Sequence, residues 1–208
     1  MMMNKRLIWN FEINSDKPLQ IKPTENPATE SGRWESRFFW PDDQIITLHG
    51  LSDHFRELSH YKIIHKEDTY FLLPNEEFNF KLRKDQLFYK PILLKQSDAV
   101  AYGKKITLDD QPPEMTLPGF GSQTIGTLLS RIKSEGVRLF VEKEALIYYF
   151  DSNPRCKFEL AWLRVNKIAF FSVSIESKAL PIVESIRKQM IQNKIASDYI
   201  TFLRGLKP

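Results

Sequence analysis

Cysteine is nearly missing from this chain: Cys156 is the single one in 208 residues. An intrachain disulfide framework is thereby excluded, which fits a reducing compartment. A lone cysteine can be a nucleophile, but no His lies near it in sequence and no nucleophile motif surrounds it. It reads as a small strand residue. Long apolar runs are lacking too: none reaches bilayer-spanning length, and the N-terminus has no apolar segment of signal-peptide type. The expected location is the cytoplasm, with no membrane partner. The four histidines, His49, His54, His60 and His65, lack metal-ligand spacing with another His or with Cys. Glycine is scarce as well. Eight Gly stand against 15 Phe and seven Tyr, which favours a strand-rich domain with solid layers. The charge excess is small, 30 basic against 26 acidic residues, so position matters more than the sum.

What the chain does have is alternation. Phe78–Lys95 reads as a β-hairpin turning at Lys84-Asp85-Gln86. In its first arm Phe78, Phe80 and Leu82 share one face, and Asn79, Lys81 and Arg83 the other. Lys90 stands in the second arm with Gln86, Phe88 and Ile92, opposite Leu87 and Tyr89. A second hairpin, Lys157–Val165 and Ile168–Glu176, turns at Asn166-Lys167. Arg33–Trp40 is a strand with Arg33, Glu35 and Arg37 on one face and Trp34, Ser36, Phe38 and Trp40 on the other. Further strands are expected at Leu7–Ile13, Ile45–Leu48, Tyr61–Leu73, Val137–Glu142 and Ala145–Phe150. A short helix is expected over Asp53–His60. Apolar stripes predict helices at Thr124–Ser134 and around Ile182–Met190, and Ser197-Asp198 caps a last one at Tyr199–Leu203. Asn14–Gly32, with Pro18, Pro23 and Pro27, reads as a linker. Residues 1–32 then form an N-terminal strand and linker ahead of one domain, 33–208. That strand is either an added edge strand or an arm that packs elsewhere. Gln96–Ser122 is an irregular stretch that is either a binding loop or a decoration without chemistry.

The charges on the polar faces are not mixed at random. Arg37, Lys81, Arg83, Lys90 and Arg138 form a cationic set; Glu35, Glu159 and Glu176 form an anionic one. An antiparallel sheet with a charged solvent face is the plain explanation. The alternative is an α+β fold: a closed or nearly closed antiparallel β-barrel of about eight strands, with both sets inside and flanking helices over the apolar outer faces. Such an interior suits a polyanion and a metal ion. Arg and Lys take phosphate oxygens, and carboxylates hold hard cations such as Mg²⁺ or Mn²⁺.

The order of motifs resembles the CYTH-like, or triphosphate tunnel metalloenzyme, superfamily. Glu35-Ser36-Arg37-Phe38-Phe39 is similar to its Glu-x-Lys/Arg strand, and Asp68-Thr69-Tyr70, Lys81-Leu82-Arg83 and Leu87-Phe88-Tyr89-Lys90 follow in order. Arg138, Glu159 and Ser174-Ile175-Glu176 come next, and Ser197 to Leu203 closes the resemblance. The family's opening Glu-x-Glu-x-Lys has Arg33 here at its first Glu, and its late Glu-x-Glu has Ser174. The resemblance implies divalent-metal-dependent hydrolysis of a triphosphate, inorganic or nucleotide. Arg37, Lys81, Arg83, Lys90 and Arg138 would bind phosphate. Glu35, Glu159 and Glu176 would be catalytic and would hold Mg²⁺ or Mn²⁺. One alternative is a tunnel that binds a phosphorylated small molecule without turnover. Another is an RNA- or protein-interaction module with a basic sheet surface.

Overall fold

The computed structural model describes residues 4–21, 32–74 and 76–206. Pro23 and Pro27 of the expected linker lie outside these. The chain runs β1 (Lys5–Ile8), β2 (Phe11–Asn14), β3 (Arg33–Pro41), β4 (Ile46–His49), β5 (Lys62–Leu72), β6 (Asn79–Arg83), β7 (Gln86–Lys90), β8 (Ile92–Gln96), β9 (Ala99–Tyr102) and β10 (Ile106–Thr107). Then follow α1 (Ile125–Glu135), β11 (Val137–Phe150), β12 (Cys156–Val165), β13 (Ile168–Ser177), α2 (Leu180–Met190) and α3 (Tyr199–Gly205).

Ten strands form one antiparallel sheet in the order β10-β7-β6-β5-β11-β12-β13-β3-β9-β8. Both expected hairpins are present. Lys84 and Asp85 have φ of 48° and 60°, and Asn166 and Lys167 of 47° and 74°, the left-handed backbone that two-residue turns use to match strand twist. The ladder itself is open: among the described residues β10 and β8 each have one sheet neighbour. These two edges belong to nearly adjacent chain. Only Pro91 separates β7, near one end of the order, from β8 at the other. Pro91 has no N–H to give a ladder, and its carbonyl accepts from Gly103 N at 2.9 Å. Gly103 is required by that approach, since a Cβ there would stand 2.9 Å from Pro91 Cγ.

Three apolar clusters set the layers. Trp34, Phe38, Phe158, Leu160, Val173 and Ile175 pack on one outer face under α2 and a small second sheet, β1-β2-β4. That sheet pairs β2 with β4 in parallel and buries Phe11 and Ile13, so the N-terminal strands are an arm that packs elsewhere rather than an added edge. Expected as one strand, they bend at Trp9, whose φ is 50°. The second cluster covers the other outer face, where Phe71, Phe80 and Tyr89 meet α1 and the loop residues Leu108, Leu117 and Phe120. Residues 96–122 therefore contribute β9 and β10 and then outer packing, with the Tyr89 hydroxyl donating to Pro118 O. α1 starts at Thr124, whose side chain accepts from Thr127 N, and ends at Gly136.

The third cluster is on the inner face. Tyr199, Ile200 and Leu203 of α3 pack on Phe39, Tyr70, Leu139, Val141 and Leu163. The last helix is thus a plug, capped by Asp198, whose carboxylate accepts from Ile200 N and Thr201 N. Two further expectations are corrected. Val137–Phe150 is one 14-residue strand, because Lys143 and Glu144, which interrupt the apolar pattern, continue the ladder to Lys66 and His65. The expected helix over Asp53–His60 is two 3₁₀ turns, Asp53–Arg56 and Leu58–His60. Among the described residues, no helix is long and apolar enough to cross a membrane.

Candidate functional site

A cavity of about 170 Å³ is lined from eight strands of the large sheet and from α3, so the sheet curls around it. Alternation places the lining: Glu35 and Arg37 from β3, Lys66 and Asp68 from β5, and Asn79, Lys81 and Arg83 from β6 all stand on one face of their strands. Lys90 ends β7, Lys143 comes from β11, Lys157 and Glu159 from β12, and Glu176 from β13. Tyr70, Tyr102 and Tyr199 complete the wall. Seven cations therefore face four carboxylates.

The cavity is flanked by two larger openings that share its lining. One, of about 490 Å³, meets it at Lys66, Arg83 and Lys143. The other, of about 350 Å³, meets it at Lys90, Tyr102 and Glu176 and adds Arg33, Lys104, Lys105 and Lys178.

Ion pairs organise the interior. Arg37 Nε is 2.8 Å from Glu35 Oε1, and its Nη1 donates to Glu159 Oε1 at 3.2 Å and to Ser172 Oγ at 3.1 Å. Its guanidinium also lies 5.3 Å from the centroid of the Tyr199 ring. Lys143 Nζ donates to the same Glu159 oxygen at 2.9 Å. Lys157 Nζ is 3.0 Å from Glu176 and 3.7 Å from Glu159. Asp68 accepts from both Arg83 and Lys81. Lys90 is 3.7 Å from Glu35 and lies over the Tyr102 ring, which ties the end of β7 to β3 and β9 across the gap between the sheet edges. Lys66 alone among these cations has no carboxylate within ion-pair distance, counting the described residues.

Burial works against the charges of Glu35, Glu159, Lys81 and Lys66, and the neighbours decide the outcome. Burial would raise the Glu35 carboxyl, but Arg37, Lys90 and Lys157 outweigh it and bring its pKa to about 2. Glu159 is likewise held well below the usual carboxylate range by Lys143, Arg37 and Lys157. The surplus shows on Lys81 and Lys66. Burial, with Arg83 and Lys143 nearby, lowers Lys81 to about 7 despite Asp68. Burial, then Lys143 and Arg83, lowers Lys66 to about 8. A site with more cations than anions can shed its excess only by losing protons or by taking up an anion.

Of the residues singled out in the sequence, Glu35, Arg37, Lys81, Arg83, Lys90, Glu159 and Glu176 come together here. Arg138 does not. It is exposed on the opposite face of β11 from Lys143, its guanidinium 5.6 Å from the Phe71 ring. The reason is local: at this end of β11 the inner face is apolar, Leu139 and Val141, because α3 fills the interior there. Lys66, Asp68, Tyr70, Asn79, Tyr102, Lys143, Lys157 and Tyr199 line the cavity without having been assigned to it. Strand parity alone could have found Lys66, which shares its face with Asp68, and Lys157, which shares its face with Glu159.

The three glutamates are separated by cations rather than grouped. Among the described residues no three His, Cys, Asp or Glu side chains are placed to hold a metal ion together. A hard divalent cation takes oxygen ligands, and here every carboxylate oxygen of the three glutamates has an Arg or Lys within ion-pair distance. A divalent cation held by these glutamates would have to displace Arg or Lys partners. Comparison with known proteins adds no assignment: no family model matches the chain, and no curated protein matches it.

Proposed function

We propose that the protein binds a triphosphate-bearing small molecule in the cationic cavity. The observation that carries this is the charge imbalance of a cavity inside the curled sheet, seven cations against four carboxylates. Fixed, partly desolvated cations bind phosphate oxygens more strongly than the same groups on an open surface, because water screens them less. Lys81, Arg83 and Lys90 stand on the hairpin wall, and Lys66 and Lys143 on the neighbouring strands, so phosphate oxygens would be met from several sides. The β7–Pro91–β8 connection and the Lys90–Glu35 contact support reading the curled sheet as a tunnel with two mouths. The resemblance to the CYTH-like superfamily points to the same ligand class. Cleavage has less support than binding, since the glutamates that would orient a metal and water are occupied by cations.

The test is calorimetric titration of the whole chain with tripolyphosphate, for wild type, Lys81→Ala and Arg83→Ala. Saturable binding lost in both variants is expected. Equal binding by all three would show that the hairpin wall is not the site. Phosphate release from tripolyphosphate and nucleoside triphosphates, with Mg²⁺ or Mn²⁺, for wild type and Glu176→Ala, decides between a binding tunnel and a hydrolase.

A further inference from the structure

Lys157 occupies a particular place in the ion-pair network. Its Nζ stands between carboxylates of two adjacent strands, 3.0 Å from Glu176 Oε2 and 3.7 Å from Glu159 Oε2. Arg33 reaches the other oxygen of Glu176, Nη1 to Oε1, at 3.4 Å. The other oxygen of Glu159 is taken by Arg37 and Lys143, and Glu35 is divided between Arg37 and Lys90. A divalent cation in a phosphate site does two things: it neutralises phosphate oxygens and it ties them to carboxylates. An ammonium bridging two glutamates in the wall of a cation-rich cavity is placed to do both.

Resting on the reading above, we propose that the cavity takes its triphosphate-bearing ligand as the free anion, not as its magnesium complex, with Lys157 and Arg33 in place of a bridging metal. Three observations agree on this. Each glutamate is satisfied before any metal arrives. Ser174, at the position where the resemblance expects a carboxylate, is fully buried, and its hydroxyl has no partner among the described residues. The imbalance of seven cations to four carboxylates already supplies the neutralising charge. An added metal ion would have to displace Lys157 and would raise the positive excess further. A magnesium-complexed triphosphate carries less negative charge and a bound water shell, so it gains less from the same cations.

The experiment is calorimetry of the full chain with tripolyphosphate in EDTA and in excess Mg²⁺. Binding in EDTA at least as tight as in Mg²⁺ is expected. Weaker binding in EDTA than in Mg²⁺ overturns the inference but leaves the proposed function standing; no binding in either buffer overturns both. Lys157→Gln should reverse the order: by freeing Oε2 of Glu159 and Oε2 of Glu176 it should make binding improve when Mg²⁺ is added. Arg33→Glu, at a side chain 58% exposed, repeats the test from the adjoining opening. A thermal melt of each variant checks that it is folded. If both folded variants bind as wild type does in both buffers, Lys157 and Arg33 do not stand where a metal would, and the inference falls.

Discussion

Glu159→Gln should move stability and ligand affinity in opposite directions. Glu159 is 2% exposed and pairs with Arg37, Lys143 and Lys157. The amide keeps the shape and removes the charge, which leaves three cations around a neutral group. Breaking a buried pair by removing one partner costs about 3–5 kcal/mol. For a domain of this size each kcal/mol shifts the melting temperature by about 2–4 °C, so a fall of roughly 10 °C is expected. The same change raises the positive excess of the cavity by one charge. Tripolyphosphate should therefore bind about tenfold or more tighter, the equivalent of about 1.4 kcal/mol, and should restore part of the lost melting temperature. Differential scanning calorimetry with and without tripolyphosphate, joined to titration calorimetry at 25 °C, reads both effects. Lower affinity in the folded variant would refute the reasoning, because it would mean that Glu159 helps to hold the ligand. An unchanged melting temperature would refute the ion-pair accounting.

Three further outcomes are expected. Burial lowers Lys81 to about 7 and Lys66 to about 8; a bound anion favours the charged forms, so the lysines gain protons on binding, and their contribution to affinity is full below about pH 7 and fades as pH rises above it. Titrations near pH 8 in buffers of different ionisation enthalpy should show proton uptake that shrinks in Lys66→Met, and equal uptake in the two proteins would argue against it. Arg138→Ala should leave tripolyphosphate affinity within about twofold of wild type, since the side chain is exposed on the outer face; a large loss measured by the same titration would put Arg138 back at the site. Cys156 is fully buried, and burial pushes its thiol up to about 12. A thiol reagent should label it only as the protein opens, so rapid stoichiometric labelling without denaturant would contradict the packing.

Much of the strand content and the two hairpin turns is legible in the sequence, because alternation and turn chemistry are local. The period of two in Arg33–Trp40, Phe78–Lys90 and Lys157–Glu176 reports which side chains share a face. It cannot report which face is concave. On β3 and β6 the charged face is the inner one, but on β11 near Arg138 the inner face is apolar, because α3 packs there. Sequence distance hid that contact: Leu139 and Leu203 belong to one cluster although more than half a hundred residues separate them. Lys143 was hidden differently, in a polar pair that breaks the apolar rhythm of a continuous strand.

By itself, then, the amino-acid sequence determined the two-faced strands, the cation-rich hairpin and the lack of an intrachain disulfide, all consequences of residue type and near-neighbour spacing. Only the tertiary structure decided that the ladder stays open between β8 and β10 while Pro91 joins β8 to β7, the strand next to β10. It also decided that the carboxylates meet cations rather than one another. Whether Glu159 and Glu176 face a metal-sized gap or the Lys157 ammonium depends on distances across strands, set by register and curl. No one-dimensional pattern carries that information.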